Sequence, residues 1–348
     1  MARNLGRKSM KELLAIFATA LVAMSTSASA QTRILLNCFT PPAHVWCESV
    51  KDWAERVDEV TEGRVRVVIP PKSMSPPPEQ INSVRSGLFD AAFQFNGFMA
   101  QEVAGPMVAM NPFTGSDRSA VNSVALWRTY QEFFRDIDEF EGVELLALLV
   151  NPGANFYSMN DDPILSMDDA LGRKMWALPG ATSGILKQNG GSVVSGPAAQ
   201  MTEIIQRGVV DGFVGIPPET AVAFNVMPYA KSVTRTPRSV FTATFSFFIS
   251  DEKWAEISPE DQELIRSVSG EEFARRVGGI FDGRNVKGME VEEGSLSIHQ
   301  ASDEFYAALQ EAGKPFAAKW VGRIDGMGVD GAAMLARYQE LVNELSSQ

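Results

Sequence analysis

Residues 143–150, Val-Glu-Leu-Leu-Ala-Leu-Leu-Val, are followed at once by Asn151-Pro152-Gly153, and this junction constrains the fold more than any other part of the chain. The apolar run reads as a central strand passing between two domains, and the Asn-Pro-Gly turn ends it. Before it, strand and helix signals alternate; after it, the alternation starts again. Residues 33–39 read as a strand, and Trp46, Val50, Trp53, Val57 and Val60 then recur at helical spacing, with Gly63 where a helix stops. A second strand over 64–70, a helix opened by Pro76-Pro77-Pro78 and a third strand over 90–95 complete a βαβαβ unit. That unit ends in the loop Asn96-Gly97-Phe98, at the carboxyl end of a parallel strand, where open α/β sheets bind ligands.

The second unit holds strands over 155–160, 173–178 and 209–215. Between the first two, Ser166-Met167-Asp168-Asp169 has the form of a helix cap. A long apolar strand over 241–250 is placed to return to the first domain, and Ser258-Pro259 opens a long helical region. No repeat of solenoid length occurs.

Residues 1–30 read as an address. Arg3, Arg7, Lys8 and Lys11 precede an apolar stretch over 13–24, and Ala28-Ser29-Ala30 fits a small-residue cleavage site, so the mature chain is expected to begin at Gln31. No later stretch nears twenty apolar residues, which disfavours a membrane anchor. The net charge of −12, with no basic run after residue 30, excludes a nucleic-acid footprint. With two histidines far apart, no metal-ligand cluster, no phosphate-cradling loop and no serine elbow, neither a cofactor nor an enzyme is expected. An acid–base hydrolase would need two converging carboxylates, which counting cannot reveal. Cys38 and Cys47 are the only cysteines. In an exported chain they can pair, or they can serve as two small buried hydrophobes; spacing alone does not bring their Cα atoms within about 7 Å.

Several segments, in order, resemble the solute receptors of tripartite ATP-independent periplasmic (TRAP) transporters. They are Pro41-Pro42-Ala43-His44, Thr61-Glu62-Gly63-Arg64-Val65, Val84-Arg85-Ser86-Gly87, Pro163-Ile164 through Trp176, Gly190-Gly191, 205–212, and Trp254 through Gln262. The resemblance implies an α/β, two-lobed periplasmic binding protein of type II-like architecture. Mixed sheets are flanked by helices, and crossing strands and a long helix join the lobes. It implies residues 31–152 with about 239–280 in lobe I, and 153–238 with about 281–348 and the C-terminal helices in lobe II. It further implies a receptor in a Gram-negative periplasm, monomer or dimer, that closes on a small organic solute and passes it to membrane subunits. A receptor that reports occupancy to a signalling partner would keep the same cleft.

Two positions depart from the family pattern. Segment 170–179 is similar to the family's "dLkGlKiRvp", in which an arginine grips a ligand carboxylate; Trp176 stands at the arginine. Asn155 stands where a first arginine often lies. A buried carboxylate without a cation costs several kcal/mol, so a small amine or ammonium compound is the first expectation, with an atypically bound organic acid as the alternative. Phe39, Trp46, Phe98, Tyr157, Phe213 and Phe245 are expected at the cleft as an aromatic box, with Glu219 supplying charge and His44, Asn96 and Gly215 nearby. Each has a plainer reading: Trp176 as core, Asn96 and Asn155 as turn formers, Glu219 as partner of a helix dipole, His44 as a backbone cap. Trp53 and Trp127 read as core, and His299 as surface.

Overall fold

The computed structural model describes residues 31–347; the expected signal peptide lies outside the described residues. Two mixed sheets organise the chain. The first has strand order β2-β1-β3-β10-β4, from Val65–Val68, Thr32–Asn37, Ala91–Phe95, Thr244–Ser250 and Val143–Val150. β1 runs parallel to β2 and β3, and β10 is antiparallel to both β3 and β4. The apolar run 143–150 is thus an edge strand by pairing, although helix Ser119–Phe133 and the long helix Gly270–Ser295 cover it and bury its last five residues. The second sheet has order β11-β9-β5-β8-β6-β7, from Ser297–Gln300, Ser232–Arg235, Phe156–Ser158, Gly212–Val214, Lys174–Ala177 and Ser192–Val194.

The chain crosses between sheets after β4, before β10, and along Gly270–Ser295. The last helix departs from the expected division, which put 281–348 with lobe II: Gly331–Ser346 packs on Ser119–Phe133, and its Met334, Tyr338 and Leu341 join the first sheet's core. Helix Asp303–Asp325 lies between, touching Ala181–Gln188 of the second unit and donating from Trp320 Nε1 to the Ala104 carbonyl of the first at 2.9 Å. Cys38 and Cys47 form a disulfide with Cα atoms 5.8 Å apart.

The 26-residue helix Gly270–Ser295 is placed by close backbone contact. A Cβ on Gly278 would lie 2.3 Å from Ala120 Cα, and one on Gly288 would lie 2.6 Å from Glu219 N, so both positions require glycine. Between them, Asp282 accepts from the Ser119 and Ala120 N–H groups at 2.6 and 3.2 Å, capping a helix whose own Arg118 offers no cap. Gly278→Ala is therefore expected to destabilise the protein by about 2 kcal/mol through overpacking. Gly279→Ala, exposed and with nothing within 4 Å of its Cβ, should be neutral or stabilise by about 0.5–1 kcal/mol through helix propensity. Urea denaturation of the pair checks this, and equal effects at the two positions would refute the close-contact account.

Candidate functional site

Between the sheets lies a narrow cavity of about 50 Å³. It sits where the loops leaving β1, β3, β6 and β8 converge, the carboxyl ends of parallel strands. From the first unit come Phe39, Thr40, His44, Trp46, Phe98 and Phe245; from the second, Leu178, Gly215, Ile216, Thr220 and Phe224. One apolar cluster runs through both, so cavity and core are continuous.

Ring packing fixes this wall. Trp46 is 4.5 Å from Phe245, 5.0 Å from Phe93 and 5.1 Å from Phe281, the last edge-on. Phe98 stands edge-on to Phe95 at 5.1 Å. Each such contact contributes about 0.5–1.5 kcal/mol beyond area burial, so the wall is held by several weak terms that share Trp46. Gly215 has φ +96°, and a Cβ there would meet Thr182 Cγ2 at 2.8 Å and Leu178 Cβ at 2.9 Å; only glycine lets the two loops approach.

His44 is the N-cap of helix Val45–Val60: its Nδ1 accepts from Trp46 N–H at 3.2 Å. In the neutral ring Nε2 therefore carries the hydrogen, and it has no hydrogen-bond partner. Trp46 Nε1 and Asn151 Oδ1 are likewise buried without partners on the cavity wall. Glu219 stands behind His44, Oε2 to Nε2 3.8 Å, too long for a hydrogen bond. Its Oε2 accepts from Thr220 Oγ1 at 2.9 Å. Burial lowers the His44 pKa to about 3 and raises that of Glu219 to about 7. Both groups are driven toward neutral forms. No lysine or arginine is among the described residues that line the cavity.

Other expected site residues lie elsewhere. Trp176, Phe213 and Tyr157 form one row across adjacent strands β6, β8 and β5, fully buried, with Tyr157 and Phe213 stacked at 4.5 Å. Trp176 on β6 and Phe213 on β8 sit two residues before Leu178 and Gly215, the first residues after those strands, one step below the wall, and Trp176 Nε1 is unpartnered. Tyr157 donates to Glu292 at 2.5 Å, and Glu292 also pairs with Arg235 at 2.7 Å. Asn155 lines a separate recess with Arg235 and Asn285. Asn96 is spent on β10: its Nδ2 donates to Thr244 Oγ1 at 3.0 Å and its Oδ1 accepts from Ser246 Oγ at 2.6 Å. Of the wall residues named above, sequence reasoning missed Thr40, Asn151, Leu178, Ile216, Thr220 and Phe224. Asn151 and Leu178 directly follow strands at the expected face, a signal the alternation already contained; the other four carry no such mark.

The sequence model of the bacterial extracellular solute-binding proteins, family 7, matches residues 36–322. The chain is 35% identical over 324 residues to the "Outer membrane transporter protein TsaT" of Comamonas testosteroni, covering 92% of this chain and 95% of that one. Among solved structures it resembles a TRAP periplasmic solute binding protein from Bordetella bronchiseptica with bound (R)- and (S)-mandelate: TM-score 0.84, 26% identity, 90% of this chain and 99% of that one. It also resembles a marine-metagenome TRAP solute binding protein specific for aromatic acid ligands, at TM-score 0.81 and 22% identity over 90% and 99%. The fold is that of the two-lobed TRAP periplasmic binding proteins.

The two buried groups oppose each other in pH dependence. His44, lowered from 6.5 to about 3, binds fewer protons folded than unfolded, so its contribution to stability grows as pH rises through that window. Glu219, raised from 4.5 to about 7, binds more protons folded, so its contribution is lost as pH rises from 4.5 to about 7. Glu219→Gln removes the second slope. Between pH 4.5 and 6.5 the variant's stability should climb more steeply than the unmutated protein's, by up to about 1.4 kcal/mol per pH unit. Urea titrations at three pH values measure the difference, and parallel curves would mean that Glu219 is already ionised in the folded protein.

Proposed function

The chain belongs to the bacterial extracellular solute-binding proteins, family 7, receptors rather than enzymes, and we propose that its solute is a small aromatic monocarboxylate. Proteins of this kind bind small organic solutes in the periplasm and work with membrane subunits. Export through cleavage after residue 30 belongs to the proposal.

The observation that carries the reading is the pair of unpartnered N–H donors, His44 Nε2 and Trp46 Nε1, on a wall otherwise made of rings and aliphatic side chains. Donors left without acceptors in a dry site favour a ligand that brings acceptor oxygens, and rings favour a flat apolar body. Helix Val45–Val60, 16 residues long, points its N-terminus at the same place, which favours negative charge further. These neutral donors offset the cost of burying a carboxylate without an arginine.

The amine expected from Trp176 and Asn155 is less well matched. A primary ammonium needs acceptors for its N–H groups, and Asn151 Oδ1 is the single buried side-chain acceptor without a partner on the wall among the described residues. Glu219 is turned to Thr220, and burial raises its pKa to about 7, so its negative charge is only partly present at neutral pH. The relative at 26% identity holds mandelate, an acid. Trp176 is read here as the layer beneath the site, closing its depth together with Phe213 and Tyr157.

A thermal-shift panel tests the proposal, because a ligand at 100 times its Kd stabilises the folded state by about 2.7 kcal/mol. Mandelate and benzoate should raise Tm in a saturable way, while choline, ethanolamine and succinate should not. Shifts confined to the amines would reverse the assignment. Trp46→Phe keeps the ring and removes the donor, so affinity for the best acid is expected to fall roughly tenfold, the equivalent of about 1.4 kcal/mol.

A further inference from the structure

The segment that makes one wall of the cavity is also the segment closed by the disulfide. Cys38 follows the last residue of β1, and Cys47 is the third residue of helix Val45–Val60. The residues between them supply Phe39, Thr40, His44 and Trp46 to the wall. On its outer side the same segment borders a second groove, lined by Cys38, Phe39, Thr40 and Cys47 on one side and by Ile69, Pro70 and Lys72 on the other. Phe39 and Thr40 therefore have open space on two sides. A partition of this kind cannot be held by packing alone, since a gap on one side forfeits the contacts that would resist movement.

Local ties are few. A turn hydrogen bond runs from His44 N–H to the Pro41 carbonyl at 2.9 Å, and the Phe39 ring rests on Phe93 at 4.7 Å. Prolines at 41 and 42 limit the backbone but donate no hydrogen bond. The covalent link joins the two ends of this loop, so it sets where Phe39 and Thr40 stand relative to His44 and Trp46.

We propose that the Cys38–Cys47 disulfide is a positioning element of solute capture. Oxidised, it holds the Phe39–Thr40 wall against the first turn of the helix; reduced, it releases that wall, and the cavity loses its shape while both sheets stay folded. The inference rests on the cavity as the solute site and is independent of the solute's chemical class.

Hydrogen–deuterium exchange on the whole mature chain tests it without any ligand. Two samples are compared with the oxidised protein: the double variant Cys38→Ala/Cys47→Ala, and unmutated protein reduced with dithiothreitol. In the latter, two electrons and two protons convert the S–S bond to two thiols as the reagent closes to its cyclic disulfide. Amides of residues 39–46 should exchange at least tenfold faster in both, with those of β4 and Gly270–Ser295 unchanged. (R)-Mandelate, used as probe, should bind at least tenfold more weakly by calorimetry. Unchanged exchange at 39–46 would overturn the proposal. So would acceleration spread over both lobes, or loss of folding in both samples, because the bridge would then be a general staple. Undiminished mandelate affinity beside a loosened loop would overturn it as well. If oxidised protein binds no mandelate at all, the aromatic-acid reading fails, and the exchange data still decide the role of the bridge.

Discussion

The close approach of one helix backbone to both lobes is the constraint on which the rest depends. On Gly270–Ser295, Gly278, Phe281, Asn285, Gly288 and Glu292 recur at steps of three and four and so share a face. Gly278 touches Ala120 in the first unit; Phe281 packs on His44 and Trp46; Asn285 accepts from Glu219 N–H at 3.4 Å; Gly288 meets Pro218 and Glu219; Glu292 holds Tyr157 and Arg235 in the second. A single rigid element thus registers the first lobe, the back of the cavity and the second sheet. Side chains at the two glycines would push the helix away and move His44 and Glu219 with it. The cavity's geometry is in this sense a consequence of backbone contacts made by residues that do not line it.

Electrostatics inside the cavity follows from dryness. Desolvation dominates both titrating groups, pulling His44 and Glu219 toward uncharged forms at neutral pH. The nearby charges are already spent: Arg284 on the long helix pairs with Glu48 at 2.7 Å, and Arg235 pairs with Glu292. What the wall can offer a solute is shape, ring faces and N–H donors. A neutral donor is worth less than a guanidinium but costs far less to keep buried when the site is empty.

The alternation of strand and helix was legible because it is local, and the turn at Asn151-Pro152-Gly153 marked the crossing from the first sheet to the second. Residue roles were less legible, since depth and non-local partners decide them. Phe39, His44, Trp46, Phe98, Gly215 and Phe245 reach the wall, each near the start of a helix or the end of a strand. Asn96 occupies an equally suitable place, yet Thr244 and Ser246, some 150 residues later, draw its amide across β10. Tyr157 and Phe213 lie on the right sheet face but one step too deep, a distinction that period-2 patterning cannot make. The last helix was expected with the second lobe, whereas its apolar face packs on the first, a non-local pairing that local pattern does not carry.

Depth also explains why Trp176 is more than an exchange of one side chain for another. Its row neighbours are Phe213 and Tyr157, and the carboxylate nearest that row, Glu292, already has Tyr157 and Arg235 as partners. A guanidinium introduced at 176 would enter a fully buried layer of rings whose neighbouring carboxylate, Glu292, is already paired, at a cost of several kcal/mol for an uncompensated buried charge. The indole, the stacked rings and the Arg235–Glu292 pair that Tyr157 joins are therefore one arrangement. An arginine could grip a solute here only if the surrounding row changed with it.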